Sequence, residues 1–268
     1  MSPATTFTSS SEAAAEAAID AATRALSLPT VRVEAATLAD AAARDGATHR
    51  AFLAELLASE VDARQTRRRD RRLKEAKFPR IKTLAGFDFA AAPAIPAGSV
   101  APLADGAWID RGEPVVLIGD SGTGKTHLLI ALGVAACEQG RSVRYLTAAQ
   151  LVNELVEAAD DRQLARTVAR YGRIDLLCLD ELGYLQLDTR GAELLFQVLT
   201  DREERASVAV ASNAAFSEWG ATFTDPRLAA AVVDRLTFNA HIIQTGTDSY
   251  RLRSARAKTT TKGTATNS

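Results

Sequence analysis

Five short apolar runs follow one another along the chain after Trp108, and amphipathic stretches of helical periodicity separate them. The runs read PVVLIG, SVRYLT, LLCLDE, SVAVASN and HIIQT. Short apolar runs that alternate with helices are typical of parallel strands buried on both faces. The pattern therefore predicts an α/β fold in which a five-stranded parallel sheet is flanked by helices.

The first part of the chain has a different pattern. It is rich in alanine, nearly free of glycine and broken only near Pro29 and Gly46, which predicts a small all-helical domain that ends in a long basic helix. Prolines and glycines then become frequent, as in a linker that wraps onto the following domain. We predict a helical N-terminal domain at 1–77, a linker at 78–107, an α/β core at 108–253 and a disordered polar tail at 254–268.

Composition limits the class of protein. With 268 residues and 47% hydrophobic content the chain can bury a large core, and its net charge of −1 gives no global sign of a nucleic-acid or membrane binder. The first residues lack the regions of a signal peptide, and no window approaches a membrane span. Cys137 and Cys178 are expected to be small buried hydrophobes. We expect a cytoplasmic protein without a membrane partner.

A glycine-rich turn lies between the first predicted strand and the helix after it. It reads Gly119-Asp120-Ser121-Gly122-Thr123-Gly124-Lys125-Thr126 and fits the P-loop pattern G-x-x-x-x-G-K-[ST]. Its glycines let successive N–H groups point inward at phosphates, and the following helix adds the positive end of its dipole. Lys125 is expected to neutralise the β- and γ-phosphates, and the Thr126 hydroxyl to hold Mg²⁺. The sequence therefore predicts ATP and Mg²⁺ as cofactors.

Two carboxylates and an amide stand at the ends of later strands. Asp180 and Glu181 end the third apolar run and Asn213 ends the fourth, at the edge where open α/β sheets bind ligands. Asp180 is expected to accept the hydration shell of Mg²⁺, and Glu181, on the other side of the strand, to orient and deprotonate the attacking water. The Asn213 amide could touch both the γ-phosphate and that water, although asparagine is also a common turn residue. Together these residues predict ATP hydrolysis.

Positive charge is concentrated in one segment of this nearly neutral chain. Between Arg64 and Lys82 there are ten lysines and arginines against two acids, Asp70 and Glu75. A phosphate backbone is the expected partner of such a helix, and the alternative is a solvated helix face. The candidate residues for contact with duplex DNA are Arg67, Arg68, Arg69, Arg71, Arg72 and Lys74.

The motifs in this order resemble the AAA+ ATPases, and more closely the IstB-like proteins, which are ATP-binding helper subunits encoded beside the transposase in one class of bacterial insertion sequence. The resemblance runs from about Arg71 to Arg253 and includes AWIDRGEPVVLIGDSGTGKTHLLIALG, LDELGYLQLDTRGAELLFQVL and ASNAAFSEWG. It implies an ATPase that assembles with copies of itself on duplex DNA and assists a cognate transposase. Helicase loaders of the DnaC type share this core and supply the alternative function.

The resemblance also assigns roles to residues. The P-loop is the Walker A motif, Asp180 and Glu181 are the Walker B pair, and Asn213 falls at the sensor 1 position. Arg235 corresponds to an arginine finger that reaches the ATP of a neighbouring subunit. Its rival for that role is Arg227, and the structural alternative for Arg235 is a surface arginine paired with the adjacent acid.

Three further expectations come from the resemblance. Phe87 and Phe89 match a segment that leads into the core near the adenine, although two such aromatics also serve as docking anchors. The insertion between the second and third strands matches an extra helix that faces DNA in loader-type proteins, which makes Arg166 and Arg170 candidates for DNA contact. The residues after the last strand are too few for a C-terminal helical lid.

Two other classes of function compete with this interpretation. A small-molecule P-loop kinase needs an acceptor pocket and a mobile arginine lid, and the sequence gives no sign of either. The second competing class is a scaffold that is switched by nucleotide binding and does not hydrolyse the nucleotide. The presence of Glu181 argues against it.

Overall fold

The computed structural model describes residues 12–184 and 186–250. The chain divides into two compact units, 1–68 and 69–268. The predicted tail at 254–268, and the last residues of the predicted core at 251–253, lie outside the described residues. Within the described ranges, no helix is both long enough and apolar enough to cross a membrane.

The first unit is helical, as the alanine-rich pattern predicts. Helices α1 (Glu12–Ala25) and α2 (Pro29–Arg44) are followed by α3 (His49–Ala76), which begins in this unit and ends in the second. The core of the unit is small and consists of Val31, Ala35 and Leu56. A core of this size contributes little burial free energy, so polar contacts matter more for its stability.

Glu60 on α3 takes the place of a capping residue for α2. Leu28 at the N-cap position provides no side-chain hydrogen bond. Instead one carboxylate oxygen of Glu60 accepts from the backbone N–H groups of Thr30 (2.7 Å) and Val31 (3.2 Å), and the other accepts from Arg67 (2.9 Å). Burial raises the pKa of Glu60, but these backbone hydrogen bonds and the guanidinium outweigh burial and hold the pKa below its usual value.

Glu60→Gln is expected to lower the free energy of unfolding of the first unit by about 1 to 2 kcal/mol at neutral pH, because a charged cap is replaced by a neutral one. Since the pKa of Glu60 is lowered by folding, its contribution is complete above the unfolded pKa and is lost as the pH falls through the folded pKa. The difference from wild type should therefore narrow below about pH 4. Amide hydrogen exchange of α2 measures it, and Glu55→Gln, at an exposed position of α3, is the control.

The second unit contains the predicted five-stranded parallel sheet. The strands are β1 (Val115–Ile118), β2 (Val143–Thr147), β3 (Leu176–Leu182), β4 (Ser207–Ser212) and β5 (His241–Gln244). Their order across the sheet is β2-β3-β4-β1-β5, and all neighbours are parallel. Each of the five apolar runs therefore forms a strand, and the prediction of the sheet is confirmed.

Helices cover both faces of this sheet. They are α4 (Ala97–Val100), α5 (Ala107–Asp110), α6 (Lys125–Glu138), α7 (Ala148–Asp160), α8 (Leu164–Gly172), α9 (Thr189–Arg202), α10 (Trp219–Thr222) and α11 (Pro226–Thr237), with short 3-10 turns at Ala101–Leu103 and Phe216–Glu218. Because side chains alternate along a strand, Leu177 and Leu179 of β3 join the core under α7, α8, α9 and α11. Cys178 joins the core under α6 on the other face.

Both cysteines are free and buried, as expected of small hydrophobes. Burial raises the pKa of the Cys137 thiol to about 12 and also raises that of Cys178. Neither thiol therefore forms a reactive thiolate near neutral pH.

Residues 78–107 belong to the second unit and are not a free linker. Phe87, Ile95, Val100 and Leu103 from this segment are buried in the core on the α6 side of the sheet. Ala76 at the end of α3 is buried in the same core. The prolines and glycines of the segment make its turns, while the apolar residues between them pack on the sheet. The segment therefore contributes to the core of the second unit.

Candidate functional site

The three predicted motifs meet at the carboxyl edge of the sheet. Ile118 of β1 and Leu182 of β3 both lie beside Ser212 of β4, and the N–H of Gly119 donates to the Ser212 carbonyl at 3.3 Å. The glycine-rich turn, the Asp180–Glu181 pair and Asn213 follow these positions directly. Asn213 is exposed at this edge. A ligand held by the turn would therefore lie close to both acids and to the amide.

The glycine-rich turn has the backbone that its sequence predicts. Gly122 and Gly124 have φ values of +85° and +104°, a region that side chains rarely enter, and Gly124 is the N-cap residue of α6. A Cβ at position 124 would lie 2.8 Å from the Phe87 ring, so glycine also fits the space. Lys125 is 9% exposed, and its Nζ donates to the carbonyls of Gly119 (2.6 Å) and Asp120 (2.7 Å). The ammonium is thereby held against the backbone of the turn.

A segment that sequence analysis missed supports the turn from the far end of the chain. The hydroxyls of Thr123 and Thr245 are 2.5 Å apart, and the Asp120 N–H donates to the Gly246 carbonyl at 3.0 Å. The N–H of Tyr250 donates to the Gly122 carbonyl at 3.0 Å. The residues after β5 thus fix the shape of the turn. No local motif indicates this role, which follows from the pairing of β5 with β1.

These residues fit a magnesium-bound nucleoside triphosphate. The turn offers backbone N–H groups at the start of α6, a buried ammonium at Lys125 and, in the first turn of α6, the half-buried Thr126. Asp120 and Ser121 are exposed at the tip of the turn. Thr126 and Asp180 would hold Mg²⁺, which would neutralise charge on the phosphates of the nucleotide. This donor set is that of a P-loop.

The Walker B acids lie on a β-bulge. The register between β3 and β4 shifts between Leu179 and Leu182, so that β3 carries one residue more than β4 there. Glu181 has φ of +59°, which costs a non-glycine residue about 1 to 2 kcal/mol. At the bulge the two acids differ in exposure: Asp180 is 4% exposed, whereas the side chain of Glu181 is exposed. The sequence predicted that the two side chains lie on opposite sides of a regular strand, but the strand is irregular at this point.

Tyr145 of β2 is a further residue at the site. Its hydroxyl donates to Oδ2 of Asp180 at 2.7 Å, while Oδ1 of Asp180 accepts from the N–H of Glu181 at 2.9 Å. Burial and the hydrogen bond to Asp180 raise the pKa of Tyr145, so the hydroxyl stays protonated and donates. Sequence analysis missed this residue. The signal that could have found it is a tyrosine inside a predicted buried strand. A buried hydroxyl needs a hydrogen-bond partner, and a carboxylate on the neighbouring strand is one such partner.

An aromatic cluster lies beside the start of α6. The ring of Phe87 packs edge-on against Phe89 at 4.8 Å and against His127 at 5.1 Å between centroids. Burial lowers the pKa of His127, whose Nε2 is 3.1 Å from the Thr83 carbonyl. Phe87 is in contact range of Gly124 in the turn. The structure therefore brings Phe87 and Phe89 next to the P-loop, and their contact with adenine stays a prediction.

The two arginine-finger candidates stand at opposite ends of α11. Arg235 in its last turn forms an ion pair with Glu203, not with the adjacent Asp234, and its guanidinium lies 4.9 Å from the centre of the Phe196 ring. The chain then enters β5 from the amino edge of the sheet, opposite the edge that carries the P-loop. Arg235 therefore lies away from the P-loop of its own chain. Arg227 is exposed in the first turn of α11.

The basic residues of α3 differ in how far their charges are paired. Arg67 is engaged with Glu60 and Thr30, so its charge serves the first unit. Two others form exposed ion pairs, Arg69 with Asp70 at 3.3 Å and Arg71 with Glu75 at 3.7 Å, and Arg72 is half-buried. Such exposed pairs are weak and leave the guanidinium accessible. Arg68 and Lys74 are exposed.

The insertion between β2 and β3 forms the two helices α7 and α8. Arg166 and Arg170 both lie on α8 and both are exposed. Arg170 forms an ion pair with Glu154 of α7 and lies over the ring of Tyr171, with 5.0 Å to its centre. Because this ion pair is exposed, like those of Arg69 and Arg71, Arg170 stays a candidate for DNA contact beside Arg166.

Comparison with known proteins agrees with this geometry. The family described as IstB-like ATP binding protein matches residues 21–258, which is most of the chain. The chain belongs to this family. An ATP-binding protein of insertion sequence IS21 from Pseudomonas aeruginosa is 38% identical over 220 residues, which cover 82% of this chain and 83% of that relative. An ATP-binding protein of insertion sequence IS5376 from Geobacillus stearothermophilus is 36% identical over 231 residues, or 86% of this chain and 92% of the relative.

Solved structures place this IstB-like chain in the AAA+ fold. The AMPPCP-bound DnaA from Aquifex aeolicus superposes with a TM-score of 0.52 at 23% identity and covers 62% of this chain. A DNA replication initiation factor superposes with a TM-score of 0.51 at 22% identity and covers 68% of this chain. The chain spans 50% and 54% of the lengths of these two proteins.

Proposed function

We propose that this protein is a Mg²⁺-dependent ATPase that assembles with copies of itself on duplex DNA and assists a transposase. The observation that carries the ATPase half is the meeting of the P-loop with Asp180 and Glu181 at one edge of the sheet. A phosphate cradle alone binds nucleotide, whereas an exposed carboxylate beside it provides a general base for the attacking water. Hydrolysis then resets the assembly.

Each residue has a distinct task in this proposal. The backbone of the P-loop and Lys125 would bind the phosphates, and Thr126 and Asp180 would hold the metal ion. Glu181 orients the attacking water and takes its proton, and Asn213 contacts the γ-phosphate and that water. The positive φ of Glu181 accompanies the exposure of its carboxylate near the end of β3, where a general base can reach the attacking water.

The DNA half of the proposal rests on α3 and α8. Arg68, Arg69 and Lys74 are exposed, and α8 adds the exposed Arg166. These side chains suit contact with a phosphate backbone, which confers little sequence preference. The relatives described above are ATP-binding proteins of insertion sequences, which supports a role beside a transposase over the helicase-loader alternative.

A salt titration tests the DNA half. Each arginine or lysine against a phosphate releases condensed counterions, so log affinity for duplex DNA falls with log salt by about 0.9 per contact. We expect the triple variant Arg68→Ala, Arg69→Ala, Lys74→Ala to bind unrelated duplexes more weakly in the presence of ATP, with a slope reduced by up to about 3. ATP affinity should not change, since the P-loop belongs to a different segment. Fluorescence anisotropy at several salt concentrations measures the slope.

The matched control removes the same charge elsewhere. The triple variant Arg32→Ala, Arg44→Ala, Arg50→Ala alters three exposed residues of α2 and the start of α3 and should leave the slope near the wild-type value. If both triple variants reduce the slope equally, the effect is one of net charge. If neither does, the basic segment is a solvated helix and DNA contact moves to Arg166 on α8.

A further inference from the structure

Each carboxylate oxygen of Asp180 accepts a hydrogen bond from the protein itself. The N–H of Glu181 holds Oδ1 at 2.9 Å, and the hydroxyl of Tyr145 holds Oδ2 at 2.7 Å. An ionised carboxylate has about four lone-pair sites, so each oxygen can still accept one more hydrogen bond. The two donors therefore set the plane of the carboxylate without occupying all of it.

The Tyr145 ring is itself held in place. It lies on the edge strand β2, where Tyr145 is paired with Cys178, and Asp180 is the next residue of β3 on the same face. Tyr145 is 9% exposed, and the ring of Phe78 packs on it with 6.0 Å between centroids. Gly133 of α6 makes room for Phe78, because a Cβ there would lie 2.8 Å from that ring. The hydroxyl consequently has little freedom to leave Asp180.

We propose that Tyr145 is a positioning residue that orients the Asp180 carboxylate toward the hydrated metal ion of bound Mg²⁺–ATP. The inference rests on the proposed ATPase function and extends it to a residue outside the P-loop and Walker B motifs. Without the hydroxyl, the carboxylate is held by one donor alone and can rotate about its χ2 bond. A rotated carboxylate would no longer present its lone pairs to the metal site, and this would weaken metal binding more than nucleotide binding.

The chain provides a matched control for the removal of a buried tyrosine hydroxyl. Tyr171 of α8 is 1% exposed, and its hydroxyl donates to the carboxylate of Glu154 on α7, away from the P-loop. Tyr171→Phe therefore loses the same kind of hydrogen bond as Tyr145→Phe, from a tyrosine to a carboxylate. Any effect that both variants share is an effect on folding, and any effect specific to Tyr145→Phe belongs to the site.

The test measures binding as well as turnover. Binding of a fluorescent ATP analogue is titrated in EDTA and at increasing Mg²⁺, and ATP hydrolysis is measured in parallel. For Tyr145→Phe we expect a nucleotide affinity in EDTA within about twofold of that of the wild type. The Mg²⁺ concentration that gives half-maximal enhancement of nucleotide binding should rise about tenfold, and kcat should fall about tenfold. Tyr171→Phe should match wild type in all three. On an Asp180→Asn background, Tyr145→Phe should change none of them further, because it acts through Asp180.

Three results would overturn the inference. The first is an unchanged Mg²⁺ dependence in Tyr145→Phe, and the second is an equal shift in Tyr171→Phe. The third is a loss of affinity in EDTA as large as the loss in Mg²⁺, which assigns Tyr145 a packing role only. A wild-type protein that binds nucleotide in a Mg²⁺-dependent manner without hydrolysing it contradicts the proposed ATPase function, but the binding titration then still decides the role of Tyr145.

Discussion

Lys125→Ala is expected to lose ATP binding, whereas Glu181→Gln is expected to bind ATP normally and lose hydrolysis. The Lys125 ammonium is held within the P-loop by the carbonyls of Gly119 and Asp120, and its removal takes away the main counter-charge for the β- and γ-phosphates. Affinity should fall by about 100-fold or more, since a charge-assisted contact of this kind is among the strongest in the site. Nucleotide titration of the full chain measures the loss.

The Glu181→Gln result has a different physical reason. Glu181 is exposed and its side chain is not part of the core, so the amide should preserve the fold and the phosphate contacts. Without a base for the attacking water, kcat should fall by about 100-fold to 10,000-fold. We also expect this variant to remain on DNA for longer, since hydrolysis is the step proposed to reset the assembly. Equal loss of nucleotide affinity in both variants would contradict the division of roles between these two residues.

The main features of the α/β unit could be predicted because their causes are local. Each strand is an apolar run, and the P-loop needs only glycines at fixed spacing, followed by Lys125 and Thr126 at the start of a helix. Asp180 and Glu181 followed from their place at the end of a buried strand. In each of these cases a few consecutive residues determine the structure, so the amino-acid sequence alone is sufficient.

The features that were missed depend on residues far apart in the chain. The hydroxyl of Tyr145 finds Asp180 because β2 and β3 are neighbours in register, and Thr245 reaches Thr123 because β5 lies beside β1. Strand order places these pairs together, and no periodicity within either segment encodes it. The same applies to Arg67, which the sequence groups with a basic run but which the structure pairs with the buried Glu60 under α2.

Arg235 can act at a γ-phosphate only in an assembly of several copies of the chain. The residue lies at the amino edge of the sheet, whereas the P-loop lies at the carboxyl edge, so a role at the γ-phosphate requires the nucleotide of a neighbouring subunit. In the isolated chain its guanidinium is engaged with Glu203 and with the ring of Phe196. Assembly would have to exchange Glu203 for a phosphate, which is the stronger charge partner.

Arg235→Ala should therefore retain ATP binding and lose hydrolysis by about 1,000-fold or more, as with other arginines that act in trans on a γ-phosphate. A mixture of Arg235→Ala and Glu181→Gln subunits should regain part of the turnover, because some interfaces then pair an intact Glu181 with an intact Arg235. Arg227→Ala, at the other end of α11, is the matched control and should hydrolyse ATP at close to the wild-type rate. ATPase assays of defined mixtures measure the recovery. If co-assembly is demonstrated and the mixture remains as inactive as either parent, Arg235 does not act across the subunit interface. If Arg227→Ala loses hydrolysis and Arg235→Ala does not, the arginine finger is Arg227.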